Sequence, residues 1–436
     1  MLDASRTNYR SFILTMRWAR RLMLAFWLAL AGIGGSAEAP PGAAPGFDAK
    51  VATDGYLRRL SPEQKARSDA YAEGGYWLLL WNFLANVAAC AVLLETRLAA
   101  GIRDRVARLT RFRPLQTALY WMLFALFSAL LTFPLDLYAG HFRERHYGLA
   151  NQTLTGWLGD WFMNLLVTAI LGSPLLMALF GLIRRRPQSW GLWGSAVVVA
   201  FIALMNLIAP VFIAPLFNHY TPLNDARIVE PILRMARANG IPVEHVYQFD
   251  ASRQSTRVSA NVSGFLGTDR ISLNDNLLKR CSQAEIEAVM GHEMGHYVMH
   301  HAYKYVTFAT LLVLVGATLL RSGIDRGIAW RGRRWGIASI DDLAVIPLAV
   351  GLFSTYLFAL TPITNTFIRT QESEADIFGL NASRQPDGFA ESMLKLAEYR
   401  KLEPGPLEEW IFFDHPSGRT RIGMAMRWKA ENLTAR

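Results

Sequence analysis

Cysteine is nearly missing from this chain: of 436 residues only two are cysteine, Cys90 within an apolar run and Cys281 in a polar stretch. Two isolated thiols make neither a disulfide framework nor a thiolate metal site. Charge is also sparse, at 18% of residues against 52% apolar, a balance unusual for a soluble enzyme. The charge present leans positive, to a formal net of +10, but the arginines fall in short clusters between apolar runs. No basic face interleaved with aromatics is present, so nucleic acid is set aside as a partner. Loop orientation in a membrane accounts for the bias instead. There is no internal repeat and no low-complexity tract.

Long apolar runs are what the chain has in quantity. Residues 76–94, 115–131, 158–183, 191–208 and 343–360 approach or exceed the roughly 18 residues that cross a bilayer core. Residues 306–320 form a shorter run, extended by Tyr303 and Tyr305 as interfacial aromatics. None carries a charge near its centre, which argues against a transporter or channel. The expected architecture is therefore mainly α, a polytopic membrane protein with the lipid bilayer as one partner. Residues 1–39 read equally as a signal peptide, with Arg17, Arg20 and Arg21 ahead of an apolar core and a cut after Ala37, or as an uncleaved first transmembrane helix. Residues 40–217 form an N-terminal membrane domain of four spans. Residues 218–436 form a second domain interrupted by spans at about 303–320 and 343–362.

Orientation follows from arginine counting. Arg97, Arg103, Arg105, Arg108, Arg111 and Arg113 fill one loop, Arg184, Arg185 and Arg186 a second, and Arg321, Arg326, Arg331, Arg333 and Arg334 a third. By span order all three share a side with the N-terminal arginines. Only Arg143 and Arg145 occupy the short loop opposite, on the side of residues 218–302 and 365–436. Positively charged short loops stay cytoplasmic while longer domains translocate largely regardless of charge. The second domain is thus expected outside the cytoplasm, on the periplasmic face of a bacterial inner membrane.

The polar stretch carries the chemistry. "DARIVEPILRMARANG" has helical spacing ending at Gly240, and "EHVYQFD" reads as a strand. "STRVSANVSG" and "DRISLND" alternate as a β-pair joined through Gly264 and Gly267. "SQAEIEAVMGHEMGHYVMHH" then reads as a helix opened by a capping box, Ser282 with Glu285. Positions i and i+4 share a helix face, so His292 and His296 direct two imidazoles at one point, with Glu293 beside them. This HExxH arrangement offers two ligands for Zn²⁺ and a carboxylate base for a metal-activated water. A helix whose histidines are merely solvated is the bland alternative, and a third ligand decides between them. The metzincin pattern is excluded by Met299 and Ala302, and His300 lies one further helical turn along. Residues 365–379, "NTFIRTQESEADIFG", offer Glu372 and Asp376 on one face, with Glu374 pointing elsewhere. Glu372 suits a third ligand, and Asp376 an acceptor for the N–H of a ligand histidine.

With these residues in view, the chain resembles the integral-membrane zinc metallopeptidases of the type I CAAX prenyl protease family, gluzincins related to the heat-shock protease HtpX. The resemblance runs in order from about residue 70 to the end. It rests on "RERHYGLANQT", "APLFNHYTPL" and "SRQSTRVSANVSGFLGTDRISLNDNLL". It also includes Asn365, Arg369, Glu372, Ala375 and Asp376, then His415, Pro416 and Arg421. It implies a zinc domain, an HExxH helix with a small β-sheet, capping a helical chamber. It implies one Zn²⁺ held by His292, His296 and Glu372, with Glu293 as base and Asp376 and Asn365 in support. His415 and Arg421 would lie over the site, His415 donating to the oxyanion of the scissile carbonyl. Ser259, Ala260 and Asn261 would pair with an extended substrate by β-augmentation. Ser259 departs from the family's asparagine there, and Asn261 follows two residues on. The implied activity is endoproteolysis of protein or peptide substrates. A catalytically inactive scaffold or chaperone retaining the fold is the alternative.

Overall fold

The computed structural model describes residues 47–263 and 270–433; the N-terminal segment, the linking Gly264 and Gly267, and the last three residues lie outside this range. Among the described residues five helices are long and apolar enough to cross a bilayer: Pro62–Glu95, Arg113–His146, Leu154–Arg185, Trp190–Leu216 and His301–Trp335. Leu343–Ala359 and Thr361–Ser383 make a further candidate, a pair bent by 56°. No more than 22% of any of the five apolar windows is buried, so most of these side chains face outward, as a lipid solvent allows. The protein is a mainly helical, multi-pass membrane protein.

The first long helix starts well before its apolar run. Ser61 caps it with a capping box to Gln64, and Pro62 occupies the first turn, where its missing N–H costs nothing. The extra turns bind the polar domain. Ser68 Oγ donates to the Arg400 carbonyl at 3.0 Å and Glu73 pairs with Lys401 at 2.7 Å, while Tyr71 donates at 2.6 Å to Glu144 at the end of the second span. Tyr71 and Glu95 stand 24 residues apart on this helix, about 36 Å at 1.5 Å per residue.

At the Glu95 end the arginine-rich segments meet. Arg97 Nε and Nη2 donate to the carbonyls of Arg334 and Arg333 at 2.7 Å each. Glu95 pairs with Arg331 and Arg334 at 2.6 and 2.7 Å, and Arg321 donates to the Gln188 carbonyl at 2.6 Å. One expectation is corrected here. The arginines from Arg321 to Arg334 are not in a loop but continue the helix His301–Trp335, which ends at Gly336 with φ +72°. Arginine is a good helix former, and Glu95 offsets the accumulated charge.

Between the fourth and fifth spans lies a four-stranded sheet: β1 (Tyr220–Pro222), β2 (Val246–Phe249), β3 (Ala260–Ser263) and β4 (Arg270–Asn274). The spatial order is β1-β2-β4-β3, with β2 and β4 parallel and the other pairs antiparallel. Ala260 stands opposite Leu273, and β3 is an outer strand. Ile232, Ile271, Leu273, Leu277, Met290 and Met294 bury the sheet against the helices Ala226–Ala238 and Gln283–Val298.

The helix Gln283–Val298 opens on the expected capping box, the Ser282 N–H donating to Glu285 at 2.6 Å. It stops three residues before the expected His301. His300 adopts the left-handed conformation at φ 54°, and a new helix begins at His301. A left-handed residue cannot continue an α-helix, so the chain turns sharply at that point.

Candidate metal centre

Small residues bring two helices into backbone contact at the site. A Cβ on Gly291 would approach the Gly379 carbonyl oxygen to 2.8 Å, and one on Gly379 would come within 2.7 Å of the His292 nitrogen. Gly295 meets the backbone of Ala375 in the same way, at 3.0 Å. No side chain fits between Gln283–Val298 and Thr361–Ser383 at this crossing. The short side chain of Glu372 therefore reaches the histidines across it.

His292, His296 and Glu372 each offer a ligand atom, all within 4.8 Å of one another. The two Nε2 atoms face each other at 3.1 Å. Glu372 lies 3.3 Å from His292 Nε2 through Oε2 and 3.4 Å from His296 Nε2 through Oε1. Glu372 Oε2 is buried and makes no well-formed hydrogen bond, with the Nε2 atoms of His292 and His415 its polar neighbours at 3.3 and 3.1 Å. Two imidazole nitrogens and a buried, unsatisfied carboxylate oxygen converging on one point fit a Zn²⁺-type cation.

The two histidines are held differently. His292 Nδ1 meets Asp376 Oδ1 at 2.8 Å, and Asp376 is fully buried. Arg421 backs that carboxylate through Nε at 2.8 Å and Nη2 at 2.5 Å. Burial opposes charge on His292, but the carboxylates of Asp376 and Glu372 outweigh it and hold the imidazole up to about 9. His296 Nδ1 meets His301 Nδ1 at 2.8 Å, and burial with the neighbouring His292 pushes His296 down to about 4. His301 Nε2 in turn meets Glu374 at 3.0 Å, and Lys304 pairs with Glu374 at 2.5 Å.

Glu293 lines a cleft with His292, Ser259, Ala260, Met393, Tyr399 and His415. Burial pushes its carboxyl up to about 7. The outer strand β3 borders this cleft, its Ser259 carbonyl accepting from the Asn274 N–H at 2.9 Å. Asn261 accepts instead from the Ser263 hydroxyl at 3.1 Å. His415 Nε2 reaches Glu372 at 3.1 Å, and Asp414 holds its Nδ1 at 2.7 Å. Burial lowers the pKa of His415, with Asp414 opposing.

Arg421 lines the cleft with Glu293 and His415 and is buried against Asp376, where a carboxylate with no access to water requires a cation. One residue stands elsewhere than expected. Asn365 does not reach the ligand cluster. Its Nδ2 donates to the Ile411 carbonyl at 2.7 Å, and Arg369 donates to the carbonyls of Glu409 and Phe413. Together they anchor the segment leading to His415. Sequence reasoning does not reach His301, Lys304 or the glycine contacts; the doubled histidine and the acid at position 374 are the available signals, and on an unbroken helix they mislead.

Membrane-crossing helices joined to a small sheet, with a His–His–Glu cluster between two tightly crossed helices, define a membrane-embedded metallopeptidase. Comparison with known proteins agrees. Residues 222–429 match the model of peptidase family M48, and residues 54–219 match that of the CAAX prenyl protease N-terminal region with five membrane helices. An uncharacterized metalloprotease of Bacillus subtilis, YhfN, is 28% identical over 83% of this chain and 85% of its own. CAAX prenyl protease 1 of Saccharomyces cerevisiae is 30% identical over 68% of each chain. The crystal structure of S. mikatae Ste24p superposes with a TM-score of 0.70 at 21% identity, covering 87% of this chain and 95% of that one. The chain belongs to the CAAX prenyl protease family of M48 metallopeptidases.

Proposed function

We propose that this protein is a zinc-dependent endopeptidase that cuts extended segments of protein or peptide substrates beside the membrane. The convergence of His292, His296 and Glu372 next to the buried Glu293 carries the reading. Zn²⁺ held there would supply the Lewis acidity that lowers the pKa of a water toward 7 and polarises a carbonyl. Glu293 takes the proton of the attacking water on its carboxylate and passes it to the departing amine. β3 offers its free edge to the substrate backbone along Ser259, Ala260 and Asn261, with Ala260 presenting its amide and carbonyl while Ser259 and Asn261 face β4. His415, its Nδ1 fixed by Asp414, directs Nε2 toward the scissile carbonyl's developing negative charge. Residues 40–217 serve as the membrane domain, and 218–436 as the peptidase domain interrupted by spans.

The site faces the periplasm of a bacterial inner membrane in this reading. The three arginine-rich segments gather at the Glu95 end of the first long helix, and the catalytic cleft lies near Tyr71 and Arg400 toward the other. Arginine-rich short segments remain cytoplasmic, which leaves the cleft outside. A prenylated cytosolic protein is then a poor substrate.

The deciding experiment uses the purified full chain with a generic unfolded protein. Wild type cleaves internal bonds and retains zinc. Glu293→Gln retains zinc but loses about 10²–10⁴ in rate or more. Near-normal turnover in that variant, or loss of its zinc, overturns the assignment. For orientation, thiols introduced near Ser263 are labelled from outside; labelling only after the inner face is opened reverses the topology.

A further inference from the structure

His296 is supported through a chain of three side chains that the HExxH pattern does not contain. Its Nδ1 lies 2.8 Å from Nδ1 of His301, whose Nε2 lies 3.0 Å from the Glu374 carboxylate. Lys304 holds that carboxylate at 2.5 Å. The proton positions follow by elimination. A carboxylate only accepts, so His301 donates to Glu374 from Nε2. In the neutral ring this leaves His301 Nδ1 as an acceptor, so His296 must donate to it from Nδ1. His296 Nε2 then carries a bare lone pair, facing His292 Nε2 and Glu372. His301 is only 5% exposed, and the left-handed turn at His300 brings it back beneath His296.

We infer that His301, backed by Glu374 and Lys304, is a positioning residue that fixes the tautomer and ring orientation of the metal ligand His296. It does for His296 what Asp376 and Arg421 do for His292, through a neutral imidazole rather than a direct carboxylate. The inference rests on the metal-site reading above. His301 is also the first residue of the membrane helix His301–Trp335, so one metal ligand is tied directly to a span.

The test measures zinc dissociation from the full chain by chelator competition, together with the visible spectrum of the Co²⁺-substituted protein. His301→Ala is expected to weaken zinc roughly 10–100-fold and shift the Co²⁺ bands. His301→Gln, which keeps an acceptor and a donor, should recover part of both. Glu374→Ala, at a side chain 37% exposed, should weaken zinc less and add little to His301→Ala in the double variant. Should His301→Ala not fold, Glu374→Ala carries the test alone. Zinc dissociation and Co²⁺ spectra in His301→Ala and Glu374→Ala indistinguishable from a zinc-loaded wild type overturn this inference and leave the metal site standing. A wild type that takes up no zinc, like the control His296→Ala, overturns both.

Discussion

His292 and His296 sit one helical turn apart and aim at the same point, yet their surroundings differ in kind. His292 leans on Asp376, a carboxylate with no exposed surface, which is locked by Arg421 in a dry interior. His296 leans on an imidazole that leads outward to Glu374 and Lys304, side chains 37% and 41% exposed. A buried pair suffers heavily when one partner is removed, because the other charge is stranded. A half-exposed pair is screened by water, and removing it costs little. Two histidines equivalent in the motif are thus unequal in the fold, and the following expectations probe that inequality.

Glu372 is common to both histidines, so its removal should have the largest effect. Glu372→Ala is expected to abolish stoichiometric zinc, measured by metal analysis of the purified protein; tightly held zinc would show that the two histidines suffice or that another group joins them. Next comes Asp376→Asn, which leaves Arg421 unpaired in the interior. It should weaken zinc by roughly 10–100-fold, more than Glu374→Ala does, and lower thermal stability. Equal effects of the two changes would erase the contrast between the supports.

Proton linkage distinguishes the histidines next. Without metal His292 is held protonated up to about 9, while His296, lowered to about 4, is already neutral. A cation must displace the His292 proton but none from His296. Apparent zinc affinity should therefore rise about tenfold per pH unit near pH 8, with about one proton released per ion by calorimetry in buffers of different ionisation heat, and more steeply toward pH 6, where Glu293 is protonated as well. In Asp376→Asn the slope should flatten, because His292 loses the carboxylate that keeps it charged. Catalysis adds a separate acid limb. In the proposed mechanism Glu293 serves as a base only when ionised, and a bound cation would lower its pKa from about 7, so kcat/KM should fall as pH drops through a value at or below that figure. The smallest effect is expected at His300. Its left-handed backbone suits glycine, so His300→Gly should change stability by less than about 1 kcal/mol in thermal unfolding and leave zinc in place. His300→Val should be clearly worse, since a β-branched residue resists that conformation.

Much of this was readable in the residues because it depends on local periodicity. The apolar runs mark the spans, the capping box marks the start of the motif helix, and the i, i+4 spacings of His292–His296 and Glu372–Asp376 mark two helix faces. What escaped depends on how helices meet. The requirement for Gly291 and Gly379 arises only when their backbones touch, and no spacing along one chain announces it. The break at His300 escaped because a non-glycine residue took a conformation that glycine normally marks. The pairing of Arg421 with Asp376 escaped because a fully buried carboxylate needs a cation, and that burial is a property of the packed domain.

The position of β3 has one more consequence. An outer strand with unpaired amide and carbonyl groups is an open invitation to self-association, and soluble proteins blunt such edges with charge, proline or bulges. Here the Val258–Ser259–Ala260 stretch lies within a narrow cleft beside Phe389, Met393, Leu396 and Tyr399. Those side chains flank the edge that a second sheet would have to reach. The side chains that shape the cleft thus also crowd the edge against pairing with another copy.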